Sequence, residues 1–248
     1  MSVNTYTTTD LISLIKTLGH VPQGNATFTP ANLLTLADLE NRTAIAKQLK
    51  EADEGYFQSI IEYPQNEDGT YRMPSSAIAS AGYVVQIRNG QAIWPVSRQE
   101  VSEMTTTTFP SVGNYSYFIR ANTLYVLPVQ FGGVLRITYE RRQSKLVLPT
   151  ACAQVVSVAG QVVTVGSVPS GWVVGDIVDL QQSQPQFDVL GPCEITAING
   201  LDITLDGDVT LLDVGDYLCP EDQSCIPQIP VEFQQLLAQR VVCKIYEL

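Results

Sequence analysis

The chain has 248 residues, 45% of them hydrophobic, which is enough to bury a core in one or two globular domains. It has 14 basic residues against 25 acidic ones, a formal net charge of −11, which argues against a protein that holds nucleic acid by its phosphates. No stretch approaches the ~20 consecutive apolar residues that a membrane-spanning helix needs, so no membrane partner is expected.

Residues 1–64 predict the N-terminal part of a helical core. Thr9 or Asp10 can cap a first helix that ends at Gly19, with its apolar residues on one face. Thr29-Pro30 is typical of a second helix start. Apolar residues then keep helical spacing as far as Tyr63-Pro64, so helix is expected up to that point.

Residues 65–149 change to the two-residue period of strands and predict a β-meander. Asn89-Gly90 is typical of a tight turn between two such strands. A capping box at Ser97–Glu100 predicts one short helix near Met104. A further turn is expected at Asn122. Three more strands are predicted at residues 115–120, 123–127 and 134–141.

Residues 146–239 contain no lysine and no arginine but twelve acidic residues. This stretch therefore carries −12, and the rest of the chain sums to +1. Soluble domains normally mix both signs on their surface, whereas a domain of one sign sets up a field that repels polyanions. Two interpretations stay open: a functional acidic surface, or a plain soluble domain that happens to be acidic.

The same stretch contains an internal repeat of two copies. Residues 158–165 align with 198–205, and without a gap Val174-Gly175-Asp176 then aligns with Val214-Gly215-Asp216. Each copy is typical of a hairpin followed by a loop and a third strand, and two such units can pack into a small barrel or sandwich. We therefore predict an inserted acidic β-barrel or sandwich domain over residues 150–226.

The last segment, residues 227–248, predicts a helix that opens at Pro230 and has a wide apolar face. We expect this helix to return to the N-terminal helices. The predicted fold class is α+β, with N- and C-terminal helices forming a helical core, a β-meander, and an inserted small β-barrel/sandwich made of two 40-residue repeats.

No pattern in the sequence predicts catalysis. The single histidine, His20, lies just beyond the first predicted helix and has no nucleophile motif near it. The residue order of an aspartyl protease is absent around Asp176 and Asp216. Five scattered cysteines without a Cys-x-x-Cys pair predict reduced thiols, not a zinc cluster. We therefore expect no enzymatic activity, no metal and no cofactor.

Two charged groups invite a binding interpretation. One is a basic cluster that either edges a strand or contacts phosphate, formed by Arg136, Arg141, Arg142 and Lys145. The other is a group of oxygen donors that calcium would accept, although the spacing of an EF-hand is absent, formed by Asp202, Asp206 and Asp208.

Several segments of the chain match a known pattern in the same order, from about residue 10 to the end. Residues 71–78 form an early block, in which Ser76 replaces an expected basic residue. The later matching runs are 127–128, 133–142, 145–147, 174–176 with 179–180, 214–217, 227–232 and 236–240. Together these segments resemble the head-to-tail adaptor (connector) proteins of tailed bacteriophages.

The resemblance implies a non-enzymatic virion protein of the neck, at the head–tail interface, made in the cytoplasm of the bacterial host. Such adaptors form a homo-oligomeric ring, typically of twelve subunits, that binds the portal protein and a tail tube or nozzle protein. Double-stranded DNA passes through the ring without specific binding. The candidate contacts with portal or with a neighbouring subunit are Arg136, Arg141, Arg142, Lys145, Arg240, Lys244, Tyr246 and Leu248.

Under this interpretation an acidic surface faces either the DNA channel or the tail. It would let DNA slide by repelling its phosphates, or it would dock a basic tail component. The candidate residues are Asp202, Asp206, Asp208 and Asp213. Two other functions stay open: a tail or baseplate component with a β-barrel domain and, from a different class, a hydrolase that uses carboxylates.

Overall fold

The structure is a computed structural model that describes residues 6–22, 26–64, 66, 68–88, 91–98, 116–127, 133–183 and 189–247. Helices occur together with many antiparallel strands, which confirms the α+β fold class. The chain divides into two compact units. Unit 1 comprises Met1–Asp53 and Gln143–Leu248, and unit 2 comprises Glu54–Arg142.

The described part of unit 1 contains four α-helices. They are α1 (Thr8–Leu18), α2 (Pro30–Glu40), α3 (Ala46–Ala52) and α4 (Val231–Glu247). A π-helical turn, Asn41–Ile45, joins α2 to α3.

Polar residues fix the starts of the first two helices. The Thr7 backbone N–H donates to Asp10 Oδ2 over 2.8 Å, so the cap of α1 is Thr7 and not Thr9 or Asp10 as predicted. The reason is that Asp10 lies three residues into the helix, where its carboxylate reaches back to the residue before the first turn. In α2, the Asn32 N–H donates to Thr29 Oγ1 over 3.3 Å, and Pro30 takes the first helical position, as the sequence predicts.

Helix α4 contacts both α1 and α2. An ion pair joins it to α2, because Arg240 Nε lies 2.7 Å from Glu40 Oε2 and the Glu40 side chain is only 6% exposed. A covered carboxylate needs such a partner, since burying it alone costs several kcal/mol. The fully buried apolar residues of the three helices are Leu11, Ile15, Leu33, Ala37, Leu237, Ala238 and Val241.

A short parallel pair of strands lies beside these helices. It is formed by β9 (Lys145–Leu146) and β16 (Gln223–Ser224), and a 3₁₀ turn follows β9 at Pro149–Ala151. The Leu146 N–H donates to Asp38 Oδ1 over 2.9 Å, which attaches β9 to α2.

Six strands of unit 1 close into a barrel in the order β10-β11-β14-β13-β12-β15. Each strand is paired on both sides with antiparallel neighbours, so closure protects the strand edges. The strands are β10 (Ala153–Ala159), β11 (Val162–Val165), β12 (Ile177–Gln181), β13 (Val189–Asn199), β14 (Asp202–Leu205) and β15 (Tyr217–Pro220). The interior is apolar and includes Val155, Val163, Leu180, Ile195, Ile203, Leu205 and Leu218.

The backbone hydrogen bonds of the barrel recur at corresponding positions of the two sequence copies. The Val155 N–H donates to the Asp216 carbonyl over 2.8 Å. At the corresponding positions, the Ile195 N–H donates to the Asp176 carbonyl over 2.9 Å. Each of these bonds joins one copy of the repeat to the other, so the two copies interlock.

The turns correspond in the same way. Gly160 and Gly200 both have a positive φ, of 62° and 65°, which suits glycine at the hairpin turns. In the loops before the third strands, Asp176 Oδ2 accepts the Val173 N–H and Asp216 Oδ2 accepts the Asp213 N–H, both over 2.8 Å. The aspartate of each Val-Gly-Asp triplet therefore closes a turn.

The described part of unit 2 forms two four-stranded sheets, with the orders β1-β8-β3-β4 and β2-β7-β6-β5. The strands are β1 (Gln58–Pro64), β2 (Thr70–Arg72), β3 (Ala77–Arg88), β4 (Gln91–Pro95), β5 (Ser97–Arg98), β6 (Ser116–Arg120), β7 (Thr123–Leu127) and β8 (Val134–Arg141). Asn122 occupies the β6–β7 turn as predicted, with φ 61° and its side-chain amide donating to the Met73 carbonyl over 2.9 Å.

The prediction that helix continues to Tyr63-Pro64 is wrong. Helix α3 ends at Ala52, and the later residues form strand β1, in which Ile61 lies opposite Ile137 of β8. Sheet pairing along the whole of β1 outweighs the weak helical preference that apolar spacing alone indicates.

The strand order also differs from that of the predicted meander. Strand β8 lies between β1 and β3, which are distant from it in sequence, and β5 runs parallel to β6. Alternating polarity determines which face of a strand is buried but not which strand lies next to it. The turn predicted at Asn89-Gly90 and the short helix predicted near Met104 fall outside the described residues.

Replacing Gly207 by alanine is expected to destabilise the barrel. A Cβ there would lie 2.2 Å from the Cys193 Sγ and 3.3 Å from the Cys193 Cβ, so the buried Cys193 side chain or the strand that carries it has to shift. Overpacking of this kind costs about 1–3 kcal/mol. Gly166→Ala is the control, since its Cβ would meet nothing closer than 3.9 Å, and its effect should stay within about 0.5 kcal/mol. The free energy of unfolding of both variants is measured by urea denaturation, with Trp172 fluorescence as the signal and Trp94 replaced by Phe in every protein. Equal losses of stability in the two variants would contradict the packing argument.

Candidate interaction surface

The two copies of the repeat differ in charge although their backbones correspond. Exposed carboxylates occupy five positions of the second copy where the first copy has neutral residues. The pairs are Glu194 and Gln154, Asp202 and Val162, Asp206 and Gly166, Asp208 and Val168, and Asp213 and Val173. The negative charge of the barrel surface is thus concentrated on the second copy, and we call these five acids the acidic half.

Local hydrogen bonds hold three of these side chains. Asp206 Oδ1 accepts the Glu194 backbone N–H over 2.7 Å. Asp208 Oδ1 accepts both the hydroxyl and the N–H of Thr210, over 2.7 and 2.9 Å, and these bonds lower the pKa of Asp208. Asp202 Oδ1 accepts the Thr164 hydroxyl over 2.7 Å. These three carboxylates are therefore held in place by local hydrogen bonds.

The fourth predicted residue, Asp213, lies beside a buried carboxylate. Asp213 is exposed, and its N–H donates to Asp216, which is only 2% exposed. Asp216 Oδ1 also accepts the N–H and the hydroxyl of Ser183, over 2.7 and 2.8 Å. Three donors therefore replace the water that a buried carboxylate loses.

Exposed apolar side chains lie in the two loops that precede the third strands. Val173 and Val174 are more than half exposed in the first copy, as are Leu211 and Val214 in the second. Val214 is the most exposed, at 73%. Large apolar side chains at corresponding loops, next to fixed carboxylates, are typical of a protein-contact surface.

The predicted basic cluster is divided between the two units. Arg136 belongs to unit 2, where its Nε lies 2.6 Å from Glu62 Oε1 on the neighbouring strand β1. Arg141 is half-buried at the end of β8, and Arg142 is exposed just beyond it. Lys145 is exposed in β9 of unit 1. Arg136 thus has a partner within its own sheet.

The residues predicted on the last helix have different surroundings. Arg240 binds Glu40, as described above, and Lys244 Nζ lies 2.8 Å from Glu247 Oε2. Tyr246 is 69% exposed, and its hydroxyl donates to the Gly19 carbonyl over 3.2 Å. Leu248 lies outside the described residues. Lys244 and Tyr246 therefore keep a surface position.

The three aspartates considered for calcium do not form a converging ligand group. Asp202, Asp206 and Asp208 each bind a group of the barrel itself. Within the described residues, the one set of three potential ligand residues whose atoms converge is different, and it consists of Cys152, Cys219 and Cys225.

These three thiols are buried where the barrel meets α1. The sulfurs of Cys219 and Cys225 are 4.0 Å apart, and all three sulfurs lie within 4.8 Å of one another. Hydrogen bonds with the other two thiols lower the pKa of Cys152 to about 5. Burial raises the pKa of Cys219, and the hydrogen bond with Cys152 raises that of Cys225. The three thiols therefore influence one another's protonation through these hydrogen bonds.

Sequence reasoning missed this cluster because Cys152 is far from the other two cysteines along the chain. Cys152 precedes β10, Cys219 lies in β15, and only the pairing of β10 with β15 brings them together. The short spacing between Cys219 and Cys225 was the one local signal, and it matches no metal motif.

No protein-family model matches the chain, and no curated protein matches it. Among the helices of the described residues, none combines the length and the mean hydropathy of a membrane-spanning segment.

Asp216→Ala is expected to destabilise unit 1 by about 3 kcal/mol, because three donors around a buried carboxylate lose their acceptor. The matched control is Asp176→Ala, the corresponding residue of the first copy, whose carboxylate accepts the Val173 N–H and is half-buried. Its loss should cost about 1 kcal/mol. Urea unfolding compares the two, and equal losses would show that burial of Asp216 does not matter.

Proposed function

We propose that the chain is a structural virion protein, a head-to-tail adaptor whose copies form a ring between portal and tail. The observation that carries the proposal is the acidic half, five exposed carboxylates on one copy of the repeat in a segment without lysine or arginine. The chain's resemblance to phage adaptors supplies the biological context. The ring lines the passage of double-stranded DNA and lies in the neck of the virion.

The hydrogen bonds of the carboxylates favour a structural role over hydrolysis. Asp206, Asp208 and Asp216 each accept backbone N–H groups, which fixes turns of the barrel. A general acid or nucleophile instead needs a carboxylate directed at a substrate. The proposed protein is therefore non-enzymatic, and its acidic residues act through their charge.

The charge suits a surface that DNA passes. Fixed carboxylates repel phosphates over a distance of about 8 Å in physiological salt, so only DNA close to the wall is affected. A wall of this sign lets DNA slide, whereas lysine or arginine would hold it.

The exposed apolar loops favour a protein contact close to the acids. Val174 and Val214 lie at corresponding positions of the two copies, and hydrophobic contacts with a tail protein would cover both. Docking and channel lining are thus the two roles that an experiment has to separate.

Ring closure requires two different surfaces of the same chain to meet. We assign the acidic half to one of them and the exposed Lys145 of the same unit to the other. Arg136 is the weakest candidate, because it already pairs with Glu62. The remaining candidates for contacts with portal or a neighbouring subunit are Arg141, Arg142, Arg240, Lys244, Tyr246 and Leu248.

The finer architecture is part of the proposal. The helices of residues 1–53 and 227–248 form one helical core, which carries a barrel built from the two copies of the repeat. The interlocking hydrogen bonds at corresponding positions of the copies, and the contacts of α4 with α1 and α2, support this organisation.

An in vitro complementation assay tests the function. Particles of the encoding virus assembled without this chain should be heads without tails, and adding the purified chain should restore tail attachment and infectivity. Normal tailed particles in its absence would refute the adaptor function.

The same assay separates the two roles of the acidic half. The triple variant Asp202→Asn, Asp206→Asn, Asp208→Asn removes three charges but keeps an oxygen acceptor at each hydrogen bond. Complete particles that eject DNA about tenfold more slowly indicate a channel wall. A tenfold slower rate corresponds to an increase of only ~1.4 kcal/mol in the activation free energy of ejection. Tail-less heads indicate docking.

The control variant Glu51→Gln, Asp53→Asn, Glu54→Gln removes three exposed charges outside the barrel and should behave as wild type. If the acidic variant also behaves as wild type, the acidic half has no role in either process.

A further inference from the structure

We propose that Cys152, Cys219 and Cys225 form a three-sulfur binding site for a soft d¹⁰ metal ion such as zinc(II) or copper(I). The three sulfurs converge on one point, with every pair within 4.8 Å. A Zn–S bond of about 2.3 Å in tetrahedral geometry places sulfurs about 3.8 Å apart. The distance of 4.0 Å between the Cys219 and Cys225 sulfurs is therefore close to that of two ligands of one ion.

The backbone around the site is already fixed. The Ser224 hydroxyl is fully buried and accepts the Ile226 N–H over 3.0 Å, which fixes the loop that carries Cys225. The Thr8 N–H at the start of α1 donates to the Cys225 carbonyl over 2.8 Å. Cys152 receives a backbone hydrogen bond from Cys225, a type of contact that stabilises sulfur ligands. Little rearrangement is thus needed to bind an ion.

The donor set selects the class of metal. Thiolates favour zinc, copper(I) and related soft ions, whereas calcium and magnesium require oxygen ligands. The sulfur-lined site is buried beside Tyr217 and Ile226, and the two sulfurs of Cys219 and Cys225 are fully covered. A soft cation also supplies positive charge in a segment that has no lysine or arginine.

A bound ion would connect three parts of unit 1. Cys152 lies between the 3₁₀ turn and β10, Cys219 lies in β15, and Cys225 follows β16 beneath the start of α1. The ion would therefore attach the barrel to the helical part of the unit.

The test uses the full chain with Cys243→Ser, which removes the exposed thiol. The protein is reduced, stripped with a chelator and titrated anaerobically with cadmium(II), whose bonds to sulfur give an ultraviolet charge-transfer band. The expected result is one cadmium ion per chain in native mass spectra, and displacement by zinc(II) or copper(I). A folded chain that binds no ion would overturn the proposal.

Replacing any one of the three cysteines by alanine is expected to lower the affinity for cadmium more than about 100-fold. This loss exceeds the roughly 10–100-fold that is typical when a residue that only contacts a metal ligand is changed. Cys193→Ala is the matched control, since Cys193 is also buried but lies outside the cluster, and it should bind as the parent does. Equal binding by control and cluster variants would contradict the site.

The affinity of a cysteine variant that fails to fold cannot be compared with that of the parent. A second measurement therefore uses the parent protein with all three cysteines in place. X-ray absorption at the cadmium edge of the loaded parent protein counts the neighbouring atoms. Three sulfur neighbours are expected. A shell of oxygen and nitrogen alone would show that the ion binds elsewhere and would refute the proposal.

Discussion

Backbone N–H groups take the place of cations around the carboxylates of residues 146–239. Because this segment has no lysine or arginine, its aspartates bind main-chain donors: Asp179 accepts the Asp222 N–H, and Asp206 accepts that of Glu194. Hydrogen bonds of a charged acceptor to an N–H contribute about 1.5–3 kcal/mol each, and they fix the chain locally. The acids are thus part of what shapes the turns of the barrel.

This constraint explains why two similar copies can have different surfaces. The aspartates that close turns, Asp176 and Asp216, are present in both copies, since each copy needs the turn. The acids of the acidic half appear in the second copy alone. Their charges are not needed by the first copy, which folds with Gln154 and Val162 at corresponding positions. The barrel therefore does not need the charges of the acidic half in order to fold. Those charges can act on a partner or on DNA instead, and the proposed adaptor function is based on this.

Sequence patterns predict features that depend on neighbours in the chain. The repeat, the glycine turns and the Pro30 helix start are of this kind, and the backbone bonds at Val155 and Ile195 follow the alignment of the two copies. Strand β1 was mistaken for helix because its partner β8 lies far along the chain. The three-thiol cluster was missed for the same reason. No partner for Arg136 is evident in the sequence, because Glu62 is far from it along the chain and comes next to it only when β1 pairs with β8.

Native mass spectrometry of the purified chain, alone and after mixing with the portal ring of the same virus, decides whether the chain is a ring-forming adaptor. A ring-forming adaptor should add near-stoichiometrically, one copy of the chain for each portal subunit, and the measured mass then gives the size of the ring. A chain that stays monomeric and does not bind the portal ring would refute the adaptor function.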